Sequence, residues 1–347
     1  MSSKKVIAPS RTFVFRGGTR IAGTVIACDA WRGDDLSFIS SARPRPGQPA
    51  PTDRNTTRPA RGQILTTETT LALLGPRAER LRTRALLLGY GRPFTLGTLR
   101  IELLPAGILP GAAALSCEGG ERRILYAGAA RLGPPSMGAV AGAVRAADAL
   151  CLDGTFGHPR FSFVSLAEAQ SAACAFARAA RAEGCAPVFL TAPFGPVHDV
   201  VPALVAEGWR LRGHRSAVAA TALYRRAGVD GPVVARFSGT LAADEVLLWP
   251  ADARQAGLLG RLGRPRLAWL SGWAADADSV ARLGVDRAIP YSNLADHAAL
   301  LAYAAATGAR EIAAVDGFAQ DLANALRDGG IADAYALGPP RQISLFD

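Results

Sequence analysis

The chain has 347 residues, 49% of them hydrophobic, and carries 39 Lys+Arg against 29 Asp+Glu for a net charge of +10 and a pI near 10.0. That is enough apolar material for one large core or two moderate ones. No apolar run reaches the roughly 18–20 residues that cross a bilayer, and the opening MSSKKVIAPSRTF has charge but no apolar stretch of the kind a secretory signal needs. Lys4 and Lys5 are the only lysines, so arginine carries the positive charge. A basic, arginine-rich surface attracts polyanions, because a guanidinium grips phosphate with two parallel hydrogen bonds. Five scattered cysteines with no CxxC pair (Cys28, Cys117, Cys151, Cys174 and Cys185) read as reduced thiols of a cytoplasmic protein.

The first segment is β-rich. Thr12–Phe15, Arg20–Cys28 and Asp35–Ser40 are short apolar stretches broken by Gly17-Gly18, Gly23 and Gly33-Asp34. Residues 42–62 hold five prolines, five arginines and almost no large apolar side chain, which predicts a loop. Thr66–Leu74 predicts a short helix capped by Thr67. Strands are expected at Ala85–Leu88, Thr98–Leu104, Ala112–Cys117 and Arg123–Ala127, a small-residue helix over residues 137–147, and a buried strand at Ala149–Asp153 with its carboxylate at the carboxyl edge.

From residue 165 the period changes. Helices over Leu166–Gly184 and Val197–Glu207 alternate with strands at Ala186–Thr191, Val233–Phe237, Glu245–Trp249 and Leu267–Ser271, which argues for a parallel sheet covered by helices. The chain then returns through Ala288–Pro290, a helix from Asn293 to Gly308, the strand Glu311–Val315 and a helix ending near Arg327.

Several runs at expected strand ends stand out: Phe38-Ile39-Ser40-Ser41-Ala42-Arg43-Pro44-Arg45-Pro46, Leu103-Leu104-Pro105-Ala106-Gly107-Ile108, Leu125-Tyr126-Ala127-Gly128-Ala129, Asp153-Gly154-Thr155-Phe156-Gly157, Ser292-Asn293-Leu294-Ala295-Asp296 and Asp316-Gly317. Through these, the stretch from Thr12 to about Gly317 resembles the metallo-β-lactamase-fold nucleases of the β-CASP group, in particular their short bacterial members described as ligase-associated exonucleases or RNA 3′-end processing factors. The resemblance implies an α/β fold: an αββα sandwich split over residues 1–164 and 286–338, with an inserted β-CASP-like α/β domain over 165–285 and a tail over 339–347.

The family places His and Asp at these motifs around two zinc ions, and here the frames match while the ligands do not. In the first loop the family's His, His, Asp and His fall on Ser41, Arg43, Arg45 and Pro46. The next histidine falls on Ile108 and the bridging aspartate on Ala129. The later acid and histidine fall on Asn293 and Leu294, and a final histidine on Asp316. A SLGKAQ-like turn is answered by Pro193-Phe194-Gly195-Pro196-Val197-His198. Zinc takes imidazole, thiolate or carboxylate ligands. A guanidinium offers no lone pair, proline has no side-chain donor, and Arg43 and Arg45 would repel a dication. Neither a zinc pair nor any other cofactor is therefore expected, and the resemblance implies a nuclease-like protein that does not cut.

The remaining acids Asp29, Asp153, Asp296 and Asp316 leave an alternative open: a divergent metal-dependent exonuclease or hydrolase holding Mg²⁺ through carboxylates. Otherwise Arg43 and Arg45 pair with those acids. His158 and His198 read as a loop residue and a helix-start residue, His214 as part of a solvated basic turn, and His297 as a displaced ligand candidate. No nucleophile elbow, Walker loop or dinucleotide fingerprint occurs.

The last residues, Arg341 to Asp347, follow Pro339-Pro340 and resemble the bacterial sliding-clamp-binding peptide, with Gln342 for the edge of a pocket, Ile343, and Leu345-Phe346 for its apolar floor. Together these readings point to a catalytically silent nuclease homologue of bacterial DNA repair. It would bind nucleic acid through arginines including Arg43 and Arg45, and scaffold an active nuclease, ligase or helicase at the clamp. Replacing Leu345 and Phe346 together by Ala is expected to abolish clamp binding and leave DNA binding unchanged in a pull-down paired with a gel-shift assay. Unaltered clamp affinity would refute the assignment of the tail.

Overall fold

The computed structural model describes residues 11–30, 36–43, 62–253 and 259–339. Arg45, Pro46, Gln342, Ile343, Leu345 and Phe346 lie outside the described residues. The described chain is a mixed α/β structure of three sheets and eight α-helices.

The first sheet runs in chain order through β1 (Phe13–Phe15), β2 (Thr19–Ile21), β3 (Ile26–Cys28), β4 (Leu36–Phe38), β5 (Ile64–Thr66) and β6 (Ala85–Leu87). Between β5 and β6 lie α1 (Glu68–Leu73), capped by the Thr67 hydroxyl, and α2 (Ala78–Arg82). The second sheet begins with an antiparallel meander, β7 (Phe94–Leu96), β8 (Leu99–Pro105), β9 (Ala113–Gly119) and β10 (Arg122–Gly128), to which β11 (Ala149–Asp153) adds in parallel.

The third sheet is built entirely from residues 186–289. After α3 (Leu166–Ala182) come β12 (Ala186–Thr191), α4 (Pro196–Ala206), β13 (Arg210–Gly213), α5 (Arg215–Arg226), β14 (Val234–Arg236), β15 (Glu245–Trp249), β16 (Pro265–Leu270), α6 (Ala277–Leu283) and β17 (Arg287–Ile289). Its strands are all parallel, in the order β14-β13-β15-β12-β16-β17. Both its faces are apolar. Phe189, Leu248 and Leu270 pack toward α3 and α4, while Val188, Leu190 and Trp249 pack on the opposite side, as a parallel sheet buried on both faces requires. The chain then closes the second sheet with α7 (His297–Thr307), β18 (Glu311–Val315), α8 (Ala319–Asp328) and β19 (Asp333–Leu337).

Strict alternation along the central strands stacks the first two sheets. In β11 and β18, Ala149, Cys151, Ala313 and Val315 face Phe13, Phe38 and Leu65 of the first sheet. Their neighbours Leu150, Leu152, Ile312 and Ala314 face Leu300 and Tyr303 of α7 and Leu322 and Leu326 of α8. Ile39, Ile64 and Leu71 bury the outer side of the first sheet under α1 and α2. The layers are therefore helix, sheet, sheet, helix. Glu311 ties the sheets at one edge, accepting from the Thr12 amide at 2.6 Å and the Tyr335 hydroxyl at 2.9 Å.

The small-residue stretch 137–147 is not the expected helix. The backbone groups a helix would use internally are already committed. Ser136 and Ala143 donate to the carbonyls of Gly107 (3.1 Å) and Pro105 (2.9 Å), Met137 to the Asp199 carboxylate (2.7 Å), and the Ala143 carbonyl accepts from Tyr303 (3.2 Å). Gly142 lies so close to the chain at Arg131 that an added Cβ would sit 2.0 Å from its carbonyl oxygen. Alanine-rich composition promises a helix only when tertiary contacts leave the backbone free. The helix expected from Asn293 begins instead at His297, because Asp296 caps it. The His214 turn is also not a solvated one: the half-buried imidazole accepts from the Ser216 amide at the start of α5. Gly142→Ala should lower stability by about 2 kcal/mol, read as a shifted denaturant midpoint at constant slope; an unmoved midpoint would contradict the close approach.

Candidate functional site

The carboxyl ends of β12, β15 and β16 open onto a cleft of about 460 Å³ whose other wall comes from the facing sheets. In open parallel sheets, crevices beyond the carboxyl ends of strands are where ligands sit. One wall carries Thr191 to Phe194, Pro250 to Asp252 and Ser271 to Trp273; the other carries Arg43, Leu109, Thr155, Phe156 and Ser292 to Leu294.

Arg43 and Asp153 meet at this wall. The Arg43 guanidinium donates through Nη2 to Asp153 Oδ2, and both side chains are largely or wholly buried. Asp153 Oδ1 accepts from the Thr155 amide at 2.8 Å and from the Thr155 hydroxyl. The glycines around this carboxylate have a packing role. Gly154 and Gly157 lie against Ala319, Phe318 and Leu322, and Gly317 against Thr155, at distances a Cβ would violate. The Asp153–Gly157 run and the turn at Asp316–Ala319 thus interlock, with Phe318 donating to the Gly154 carbonyl at 2.8 Å.

Each remaining acid has its own task. Asp29 sits in the left-handed region at φ 50°, where its carboxylate accepts from the Ser40 amide (2.8 Å), the Ser40 hydroxyl (2.7 Å) and the Tyr126 hydroxyl (2.8 Å). Asp296 caps α7 through the Ala299 amide (2.9 Å) and also accepts from Phe163 (3.2 Å). Asp316 takes φ 61° at the end of β18 and starts the turn into α8. Among the described residues no three His, Cys, Asp or Glu side chains come together in a way that could hold an ion. The alternative of an ion held jointly by Asp29, Asp153, Asp296 and Asp316 finds no such grouping among the described residues.

The apolar replacements also converge, but into core. Ile108, Ala129 and Leu294 belong to one buried cluster with Ala42, Leu109 and Phe156. Asn293 is buried and donates to the Ile108 carbonyl at 2.6 Å. Ser41 is buried at the start of the loop, its hydroxyl 3.4 Å from the Arg43 amide. His297 is fixed by a 2.7 Å contact from Nδ1 to the Gly157 carbonyl, and His158 accepts from the Arg160 amide. This donor set does not fit a zinc pair.

Sequence inspection overlooked two features. The first is a polar knot beneath the cleft: buried Asp199 accepts from Tyr291 (2.9 Å), Ser136 (3.1 Å) and the Met137 amide. Burial raises its pKa above the ordinary carboxylate value and pushes Tyr291 up to about 12. Beside it, His198 stacks on Tyr224 at 3.9 Å, and burial pulls its pKa down to about 4. The second is Trp273, a partly exposed ring on the cleft lip, 5.1 Å from Phe156 and 5.5 Å from Phe161. A tryptophan just past an apolar strand that ends in Ser-Gly was the available signal.

No family model matches the chain. Among curated proteins it is similar to a probable DNA ligase of Opitutus terrae, 27% identical over 285 residues. The match takes in 82% of this chain but 28% of that protein, so the chain spans little more than a quarter of the relative's length.

Removing Arg43 would take from the buried Asp153 carboxylate a guanidinium that pairs with it. Arg43→Met is expected to cost about 3 kcal/mol, and the double variant Arg43→Met/Asp153→Asn to recover most of it in chemical denaturation. Equal stability of Arg43→Met and the unaltered chain would show that the pair carries no weight.

Proposed function

We propose that the chain is a non-cutting relative of the metallo-β-lactamase/β-CASP nucleases, with its facing sheets as the sandwich of that fold and its third sheet as the inserted unit. Its work is to bind DNA beside a joining enzyme. The observation that carries this is the seating of Arg43 on Asp153 where the resemblance would place a metal ligand, with Ile108, Ala129 and Leu294 packed together where others would stand. A guanidinium fixed in the protein and balanced by Asp153 then stands where a metal ligand would have stood. It cannot generate hydroxide, because no bound water is acidified by a guanidinium.

Two further facts support the reading. The net charge of +10 rests on arginine, the side chain best shaped for phosphate. Similarity to a probable DNA ligase supplies the context of strand joining. The C-terminal peptide, outside the described residues, would tether the assembly to a sliding clamp.

Purified protein incubated with end-labelled single-stranded and duplex DNA in Zn²⁺, Mn²⁺ or Mg²⁺ is expected to give no product, while binding weakens steeply with salt, by about 0.9 in log–log slope for each phosphate contacted. Metal-dependent cutting that disappears in Asp153→Ala would install the carboxylate-metal hydrolase instead. Absence of binding at low salt would remove the nucleic-acid function.

A further inference from the structure

Outside the cleft mouth, the turns that follow three strands bring aromatic rings to one place: Phe161 after β11, Trp273 after β16 and Phe318 after β18. Phe161 is buried, and the two other rings lie on it, Trp273 at 5.5 Å and Phe318 at 5.1 Å, with 6.2 Å between them. His158 packs edge to face with Phe318 at 5.7 Å. The Arg160 guanidinium stands 4.7 Å over the Phe318 ring and also pairs with Asp276 at 3.3 Å. Trp273 is 36% exposed and Phe318 half-buried. Phe318 is, in addition, the N-cap residue of α8 and makes no side-chain capping bond there. Capping favours Ser, Thr, Asp or Asn at such a place, so the ring is kept for its packing and for the surface it offers. Contiguous apolar surface, unlike a lone exposed side chain, marks a contact site.

The described chain ends beside this surface. β19 pairs in parallel with β18, and β18 with β11, so that Leu337 lies level with Val315, and Val315 with Asp153. Neighbouring strands lie about 4.8 Å apart, which puts Leu337 about 10 Å across the sheet from Asp153. Phe318 is held at that end of the sheet, its amide donating to the Gly154 carbonyl. Residues 340–347 lie outside the described residues, and their large apolar side chains are Ile343, Leu345 and Phe346. Leu345 stands six residues past Pro339, a reach of up to about 20 Å. That spans the strand ends and the further step from Phe318 to Trp273.

We propose that residues 342–347 dock on the Trp273–Phe318 surface of the same chain, Leu345 and Phe346 against the two rings and Asp347 toward Arg160. Tethering supplies the strength. A short linker holds the segment at an effective concentration in the millimolar range, so a contact of only ~0.1 mM affinity is filled about nine times in ten. The tail of a second copy offers the same side chains, but only at its solution concentration. A segment held in this way is withheld from any other binder of Leu345 and Phe346, which has to compete for them. The docking stands on this chain's own residues and does not depend on nucleic-acid binding or on what else takes the tail.

Two experiments on the full chain test it. Phe346→p-benzoylphenylalanine, irradiated at low micromolar protein, should crosslink within one chain to peptides holding Trp273 or Phe318, as mapped by mass spectrometry. Crosslinks elsewhere, or none, overturn the proposal, and crosslinked dimers would give the surface to a second copy's tail and overturn it too. The other experiment reads the anisotropy of a fluorescein-labelled peptide of residues 340–347. The double variant Leu345→Ala/Phe346→Ala, its own tail disarmed, should bind that peptide about tenfold more tightly than the unaltered chain does. Adding Trp273→Ala should remove the binding. Equal binding by the unaltered chain and the double variant, or no binding by the double variant, would show that the surface is not self-occupied. Binding that survives Trp273→Ala in a protein melting like its parent would put the peptide elsewhere and sink the proposal. The crosslink needs no change at Trp273, so it decides the matter where Trp273→Ala fails to fold.

Discussion

Asp153 ends a central strand of the second sheet with its carboxylate out of reach of water, and a charge in that position requires a partner. Arg43, brought in from the loop after β4, is one such partner, and the surroundings fit that pairing. Ser41 and Ala42, which precede Arg43 in the chain, are buried, Thr155 donates to Oδ1 of the carboxylate, and Gly154 and Gly317 let the surrounding turns come within backbone contact. A cation built into the chain cannot be lost or exchanged. The Arg43–Asp153 pair is therefore a fixed feature of the cleft wall.

Much of the fold was legible from periodicity. β11, β12, β15 and β18 fall on the stretches predicted for them, because buried strands with apolar residues on both faces leave a dense signal. The failures are equally physical. Residues 137–147 look helical in composition, but their backbone is spent on neighbours and Gly142 is pressed against Arg131. The sequence reading assigns no element to α5, since three of the four buried residues of its inward face, Ala217, Ala220 and Thr221, are too small to stand out from the alanine-rich background and leave Tyr224 as the one large apolar mark.

The site was legible in a different way. What residues 41–43, 108, 129, 293 and 294 cannot do as ligands follows from side-chain chemistry alone, with no fold in hand. What they do needed the structure: Ile108, Ala129 and Leu294 share one core cluster, Asp29 holds the loop at Ser40, and Asp296 caps a helix. The roles of Trp273 and Asp199 could not be read locally because their neighbours lie more than 60 residues away in the chain, Phe156 and Ser136 respectively. A cleft whose walls come from the third sheet and from the facing pair of sheets hides its lining from any local pattern.

Zinc stoichiometry tests the central claim most directly. The protein, purified without chelators and equilibrated with excess zinc, would be desalted and its metal content measured by elemental mass spectrometry, with tight sites titrated by calorimetry. A guanidinium-filled cleft predicts zinc near zero per chain and no tight binding isotherm. About two tightly held zinc ions per chain, the complement of a working member of the group the motifs resemble, would contradict it.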